Sequence, residues 1–423
     1  MNLRNTIFIY LMLIILMMVP ATAQVSVPAL HATIHQYMNQ RNIPGMAMGF
    51  VTPNEEGLYT YGYADQAQTR RIGEKTIFEL GEVSATFTTA MMIDMYFEDE
   101  INIYQPLQFF VPPYVEVPCF EQIVCRVERP GELRVPPNVE GVPLLGGVSC
   151  YAEVDTPVIP ITFCRLATHH AGLPSYPEKL NKYHLSTQKN KARFFPEKTR
   201  TEDIYQIFMS QELMSRPGTQ YHYSNLGTAI LGHILAYQKQ ITYGQLLEKR
   251  ISNPLGLLNT VVSLGEKESP LMATGYNLMG KAVVHRDWEG FAPAMGIKST
   301  PEDMMIYLEA NAGVLQAQPL VAAFDECHVP HGLIWDKHWK DLRTGYGWFV
   351  LPLNKGKTYR IWSEGSTTGF SSFIGIIPET QTGVFLMSNS PRNLRKLGFD
   401  LMELVEQTAQ TDRIEWREAQ LDH

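Results

Sequence analysis

The stretch from Phe78 to Tyr96 constrains this chain most. Phe78-Glu79-Leu80 reads as a short extended segment that ends at Gly81, and apolar side chains then recur four apart at Val83, Phe87, Met91 and Met95. Ala90, Ile93 and Tyr96 fill the other sides, so the spacing predicts a helix that is apolar on most faces and needs a large core around it. Glu82 stands at its N-terminus, where unsatisfied backbone N–H groups favour negative charge.

A chain of 423 residues, 45% hydrophobic and 18% charged, can build such a core in one bilobed domain or two. Residues 44–64 alternate apolar and small residues around Pro53-Asn54-Glu55-Glu56-Gly57, which predicts two antiparallel strands and a turn. Residues 101–160 are rich in proline and glycine breaks (Pro112-Pro113, Pro130-Gly131, Pro136-Pro137, Gly146-Gly147) and read as an irregular insert. Residues 161–173 suit a helix and a turn, and 186–200 a polar, basic, solvated loop. Leu226, Ile230, Leu231, Ile234 and Leu235 mark one face of a further helix. Lys298 to Asp303 reads as a cap before another, and 312–342 as a long loop. Four strand-like runs follow, at Tyr346–Leu353, Tyr359–Trp362, Phe370–Ile377 and Gly383–Asn389, and then a helix over 393–407. The order predicts an α+β fold: N- and C-terminal strands share one antiparallel sheet, with an all-helical lobe between them.

Arg4, the uncharged apolar run Ile7 to Val19 and Ala21-Thr22-Ala23 together resemble a secretory signal over residues 1–23. The run is shorter than the ~20 residues of a membrane span. The expected mature protein is therefore exported, periplasmic or secreted, with no stable membrane span. A net charge of −8 argues against a nucleic-acid partner, which needs a basic face. The five cysteines, Cys119, Cys125, Cys150, Cys164 and Cys327, make disulfides possible after export, and an odd count leaves at least one thiol unpaired. Cys119 with Cys125 would make a local loop, but spacing fixes no pairing.

From about Pro44 to Asn389 the chain resembles the class C β-lactamase and penicillin-binding protein group, which includes esterases and D-amino-acid peptidases. The pieces that carry the resemblance are PGMAMGFV, FELGEVSATFT, ITFCRLATHHAGLP, RPGTQYHYSNLGTAILGHI, NPLGL, MGIKSTPEDM and EGSTTGFSSFIGIIPE, in that order. The resemblance implies a β-lactamase/transpeptidase-like domain over 24–410, holding the 101–160 insert, and a tail over 411–423. Small-molecule or peptide ligands would bind in a cleft, with no cofactor and no metal.

In that family the first motif supplies a serine nucleophile and a lysine three residues on. Here those positions hold Glu82 and Ala85, and a carboxylate forms no acyl-enzyme of the usual kind. The second motif, Tyr-x-Asn, is matched in full by Tyr223-Ser224-Asn225. The third, Lys/His-Thr-Gly, reads Ser363-Glu364-Gly365. The family's oxyanion hole is built from backbone N–H groups, which by position are those of Glu82 and Ser366. Two lysines are thus absent and two carboxylates, Glu82 and Glu364, take their place. At ~5 Å and an effective dielectric of ~20, one charge pair is worth ~3 kcal/mol. The cleft is expected to reject anions and to suit a cationic or amine-bearing ligand.

Other groupings read as background. Ser84 lies about 200° of helical rotation from Glu82 and has no evident base. Ser186-Thr187-Gln188-Lys189 repeats the first motif without an apolar helix behind it, and Arg343-Thr344-Gly345 imitates the third. Cys327, His328, His331 and His338 fit no standard zinc spacing. His169 and His170 suit packing at a helix end. Three readings follow. The first is an exported, ligand-binding or regulatory pseudoenzyme using Glu82, Tyr223, Asn225, Glu364 and Ser366. The second is a hydrolase with rebuilt chemistry, Glu82 acting as base and Tyr223 as acid. The third is a scaffold acting through the 101–160 insert.

Overall fold

The computed structural model describes residues 25–127, 142–144, 148–154, 158–175, 199–285, 288–315 and 320–407. The signal-like segment, the Ser186–Lys189 run and the 411–423 tail lie outside these.

An eight-stranded sheet forms the centre. Its strands are β1 (Gly45–Val51), β2 (Glu56–Asp65), β3 (Arg70–Arg71), β11 (Arg343–Thr344), β12 (Phe349–Leu353), β13 (Thr358–Ser366), β14 (Ser371–Ile377) and β15 (Thr382–Ser388). The order is β11-β12-β13-β14-β15-β1-β2-β3, antiparallel throughout. β1 pairs with β15, Met46 opposite Ser388, so the two ends of the chain do share one sheet. β1 is buried along its whole length because both of its faces are covered. Met46, Met48 and Phe50 point to one face, where α1 (Val27–Arg41) contributes Leu30 and Ile34 and α9 (395–407) contributes Leu397, Leu401 and Val405. Ala47 and Val51 point to the other, toward the main core. α1 leaves little trace in the sequence, because its apolar stripe is thin. Asn42, in the left-handed region at φ 52°, ends it.

The helical lobe contains α2 (Ser84–Phe97), α3 (Phe163–Ala167), α4 (Thr201–Met209), α5 (Asn225–Lys239) and α6 (Tyr243–Leu247). Two further helices, α7 (Pro301–Asn311) and α8 (Val321–Cys327), pack with it. The predicted central helix is α2, and nearly every residue of it is buried. Phe87 stacks on Tyr307 with ring centroids 3.9 Å apart, and burial of such a side chain contributes ~1.5–3 kcal/mol. Thr88, on the same helix, bonds the Tyr243 hydroxyl and the Pro293 carbonyl, each at 2.6 Å.

Three expectations need correction. The insert is not wholly irregular: β5 (Glu121–Val127), β6 (Val142–Leu144) and β7 (Val148–Val154) form a small antiparallel sheet in the order β5-β7-β6. Pro130-Gly131, Pro136-Pro137 and Gly146-Gly147 lie outside the described residues, and Pro143 sits on an edge strand, where a missing N–H is tolerated. Cys119 is a free thiol, so the Cys119–Cys125 loop is not formed; Cys125 is instead the register partner of Cys150. The 312–342 segment is not all loop, since it holds α8, which packs on α2 through Phe324 and Cys327. Short strands β4 (Phe78–Glu79) and β10 (Lys298–Ser299) pair with each other and hold the entrance to α2. β8 (Gly275–Tyr276) and β9 (Ala282–Val283) make a second short hairpin.

Candidate functional site

A tight 3-10 turn, Gly81–Val83, carries the chain from β4 into α2 and lies against the end of β13. Two glycines make the approach possible. Gly81 adopts φ +53°, and a Cβ there would stand 2.5 Å from the Ser366 nitrogen. A Cβ on Gly365 would stand 2.1 Å from the Leu80 carbonyl oxygen and 2.6 Å from the Glu82 nitrogen. With no side chain at either position, the N–H groups of Glu82 and Ser366 converge on one point. The Ser372 hydroxyl donates to the Leu80 carbonyl and fastens the turn to β14.

The Glu82 carboxylate fills that point. Its Oε2 accepts from the Ser366 N–H at 2.7 Å, and its own N–H and the Asn225 amide also donate to the carboxylate. Burial pushes the Glu82 pKa up; the three donors oppose this, and the nearby Glu364 adds to the rise. Asn225 is buried in the first turn of α5. Ser224 caps that helix, accepting from the Gly227 N–H at 2.9 Å and donating to the Pro174 carbonyl at 2.7 Å.

His169 ties the second segment in place. Its Nδ1 accepts from the Ser224 N–H at 3.2 Å, and its ring lies 4.3 Å from that of Tyr223. Burial, with a lesser push from His170, brings its pKa down to about 3, so the ring is neutral and its proton sits on Nε2. His169 is at a helix end, as its sequence position suggested, but it also lines the cleft. Its φ of 59° is unusual for a residue with a side chain, and the backbone bond from the His222 N–H, 2.8 Å long, helps hold it there.

Glu364 departs from expectation. It forms an ion pair with Arg395, the first residue of α9. The guanidinium also lies 5.7 Å over the Trp339 ring. The excess negative charge predicted from Glu82 and Glu364 together is therefore offset at Glu364. Arg395 was not anticipated, because 31 residues of sequence and a strand hairpin separate it from Glu364. The predicted helix over 393–407 locates α9 but not its destination.

The cleft that these groups enclose has a volume of about 510 Å³ and includes Ala85, Trp348 and Phe349 in its walls. Among the described residues no lysine lines it. Ser84 is fully buried, and its Oγ accepts from the Ile297 N–H at 3.0 Å, pointing away from the cleft. Thr344, from the sequence that imitates the third motif, lies in the wall, but its strand β11 is at the sheet edge. His328 is buried against Asn311, 3.2 Å from Nε2 to Oδ1, and His331 packs on Tyr346. Among the described residues no group of three metal-ligating side chains converges.

The beta-lactamase family model matches residues 30–407. The chain belongs to the beta-lactamase family. Its relatives include a beta-lactamase of Escherichia coli (strain K12), 25% identical over 85% of this chain and 87% of that one. Another, from Lysobacter lactamgenus, is 23% identical over 88% of this chain and 89% of the other. Among solved structures, a beta-lactamase/D-alanine carboxypeptidase from Pseudomonas syringae aligns with TM-score 0.67 at 21% identity, covering 90% of this chain and 97% of its own. A class C beta lactamase from Rhodobacter sphaeroides aligns with TM-score 0.65 at 18% identity, covering 92% and 98%. The beta-lactamase fold is thus retained.

Within that fold the Glu82 side chain has a particular shape. A serine ester runs Cβ, Oγ, carbonyl carbon; glutamate runs Cβ, Cγ, Cδ. Glu82 therefore sets a carbonyl-type oxygen between the two N–H groups, as a serine ester at the same position could. The likeness is one of shape, with a methylene in place of the ester oxygen.

Proposed function

We propose that this protein is an exported, ligand-binding pseudoenzyme of the beta-lactamase family. The observation that carries the reading is Glu82 Oε2, bonded to the Ser366 N–H at 2.7 Å in the position an oxyanion would need. With that point filled, an incoming carbonyl finds no donors for its developing charge, and such donors contribute ~2.7–4 kcal/mol to catalysis in serine hydrolases. Loss of one member of a nucleophile–base unit costs ~10⁴–10⁶ in rate. Here both the serine and the lysine are replaced.

The ligand class follows from what remains. Ala85 stands where the family lysine would place an ammonium, beside Tyr223, Asn225 and the Glu82 carboxylate. A small molecule or peptide with a primary amine matches that gap, supplying the charge the chain lacks. Export rests on the signal-like N-terminus and on the family. Among the described residues no helix is long and apolar enough to cross a membrane.

The test is the double substitution Glu82→Ser with Ala85→Lys, assayed on nitrocefin and a p-nitrophenyl ester. The wild type should show no turnover and no covalent labelling by a fluorescent penicillin, and the double variant should gain both. Labelling of the wild type sinks the proposal. A hydrolase using Glu82 as base has one observation in its favour, the raised pKa of that residue. Wild-type turnover lost in Glu82→Gln, without labelling, would select it.

A further inference from the structure

A second groove, of about 1050 Å³, shares no lining residue with the cleft. It lies between α4, the C-terminal half of α5 and the 257–263 segment. Tyr205, on α4, is only 3% exposed, yet its hydroxyl has no hydrogen-bond partner among the described residues. An unmet buried hydroxyl costs ~1–3 kcal/mol, so its retention calls for an occupant. Tyr114 meets the Tyr205 ring edge-on, centroids 6.3 Å apart, and Tyr237 and Glu202 are its electrostatic neighbours.

The groove is also acidic. Glu202, Glu248, Glu268 and Glu289 line it, and among the described residues no lysine or arginine does. His233 offers no counter-charge: burial brings its pKa down to about 4, and its Nε2 is 2.8 Å from the Gly290 carbonyl oxygen. Phenol rings beside carboxylates attract cations, through ring faces and through charge.

We propose that this groove is a second ligand site that binds a primary alkylammonium group. The ammonium donates to the Tyr205 oxygen and to the Glu202 carboxylate, while the alkyl chain lies against Tyr114 and Tyr237. Nothing in this depends on whether the cleft is catalytic.

Calorimetric titration of the full chain with n-butylammonium chloride tests the site, with n-butanol as a neutral probe of the same shape. Butylammonium should bind at least ~10-fold more tightly than butanol, the equivalent of ~1.4 kcal/mol. Tyr205→Phe and Glu202→Gln should each weaken butylammonium binding by ~5–10-fold, as loss of one charge-assisted bond does, with melting temperatures near that of the wild type. Unchanged affinity in the combined Tyr205→Phe/Glu202→Gln variant would place any binding elsewhere and overturn the proposal. So would equal binding of butanol, or no binding of butylammonium at all, which would leave a buried water as the partner of Tyr205.

Discussion

Glu82 Oε2 lies 2.7 Å from the Ser366 backbone nitrogen, joining the head of α2 to the end of β13. The bond places an acid at the convergence of backbone donors, in a site whose burial disfavours its charge. That tension between donors and burial makes Glu82 a sensitive probe of pH.

Because the folded pKa of Glu82 is raised, the folded state holds this proton more tightly than the unfolded chain does. Its contribution to stability is then fully present below the unfolded carboxylate range and is lost as pH rises through the folded value. Glu82→Gln, which does not titrate, should gain stability relative to wild type over that window. Urea unfolding of both proteins from pH 4 to pH 8 measures this. A difference that stays flat, or moves the other way, would show that the three donors outweigh burial.

The glycines that bring the two N–H groups together should be intolerant of any side chain. Gly365→Ala and Gly81→Ala are each expected to destabilise by at least ~1–3 kcal/mol, from overlap at the first and from overlap plus an unfavourable φ at the second. Gly73→Ala meets nothing within 4 Å and should stay within ~0.5 kcal/mol of wild type. Denaturant midpoints separate these cases.

Arg395→Gln should release Glu364 and make the cleft more negative by one unit. As a partly exposed pair, it contributes no more than ~1 kcal/mol to stability, so the fold should persist. Affinity for an amine-bearing ligand should rise several-fold at low ionic strength, and the gain should shrink with added salt. Titration at two salt concentrations reads both effects. A fall in amine affinity would show that Arg395 itself contacts the ligand.

Thr88→Val should strand the Tyr243 hydroxyl in the core. It removes a partner 2.6 Å from a fully buried phenol, and such losses cost ~1–3 kcal/mol. Thr88→Ser keeps the hydroxyl and should recover most of that stability in the same unfolding assay.

Much of this was legible in the sequence because local pattern and position carried it. The four-residue spacing from Val83 to Met95 identified α2, since a helix buried on all sides leaves few other ways to place those side chains. The alternation in 44–64 gave β1 and β2, and the motif spacing placed Glu82 and Ser366 at the same point. What was missed depends on tertiary contact. Arg395 reaches Glu364 only because α9 folds back over the sheet, and no local feature encodes that return. β5 and β7 were hidden because breaks between strands look, in one dimension, the same as breaks within them. α8 is held by Phe324 and Cys327 in a core that its seven residues alone do not announce.

While Gly81 and Gly365 are kept, a pocket made from main-chain donors persists whatever other side chains line it; it can only be occupied or left open. Shortening Glu82 to serine or alanine would uncover two unsatisfied amides at once, and dissolved anions such as chloride, acetate or phosphate would compete to settle there. Variants of this kind should therefore be handled in buffers free of small carboxylates, or the resident ion will masquerade as an inhibitor.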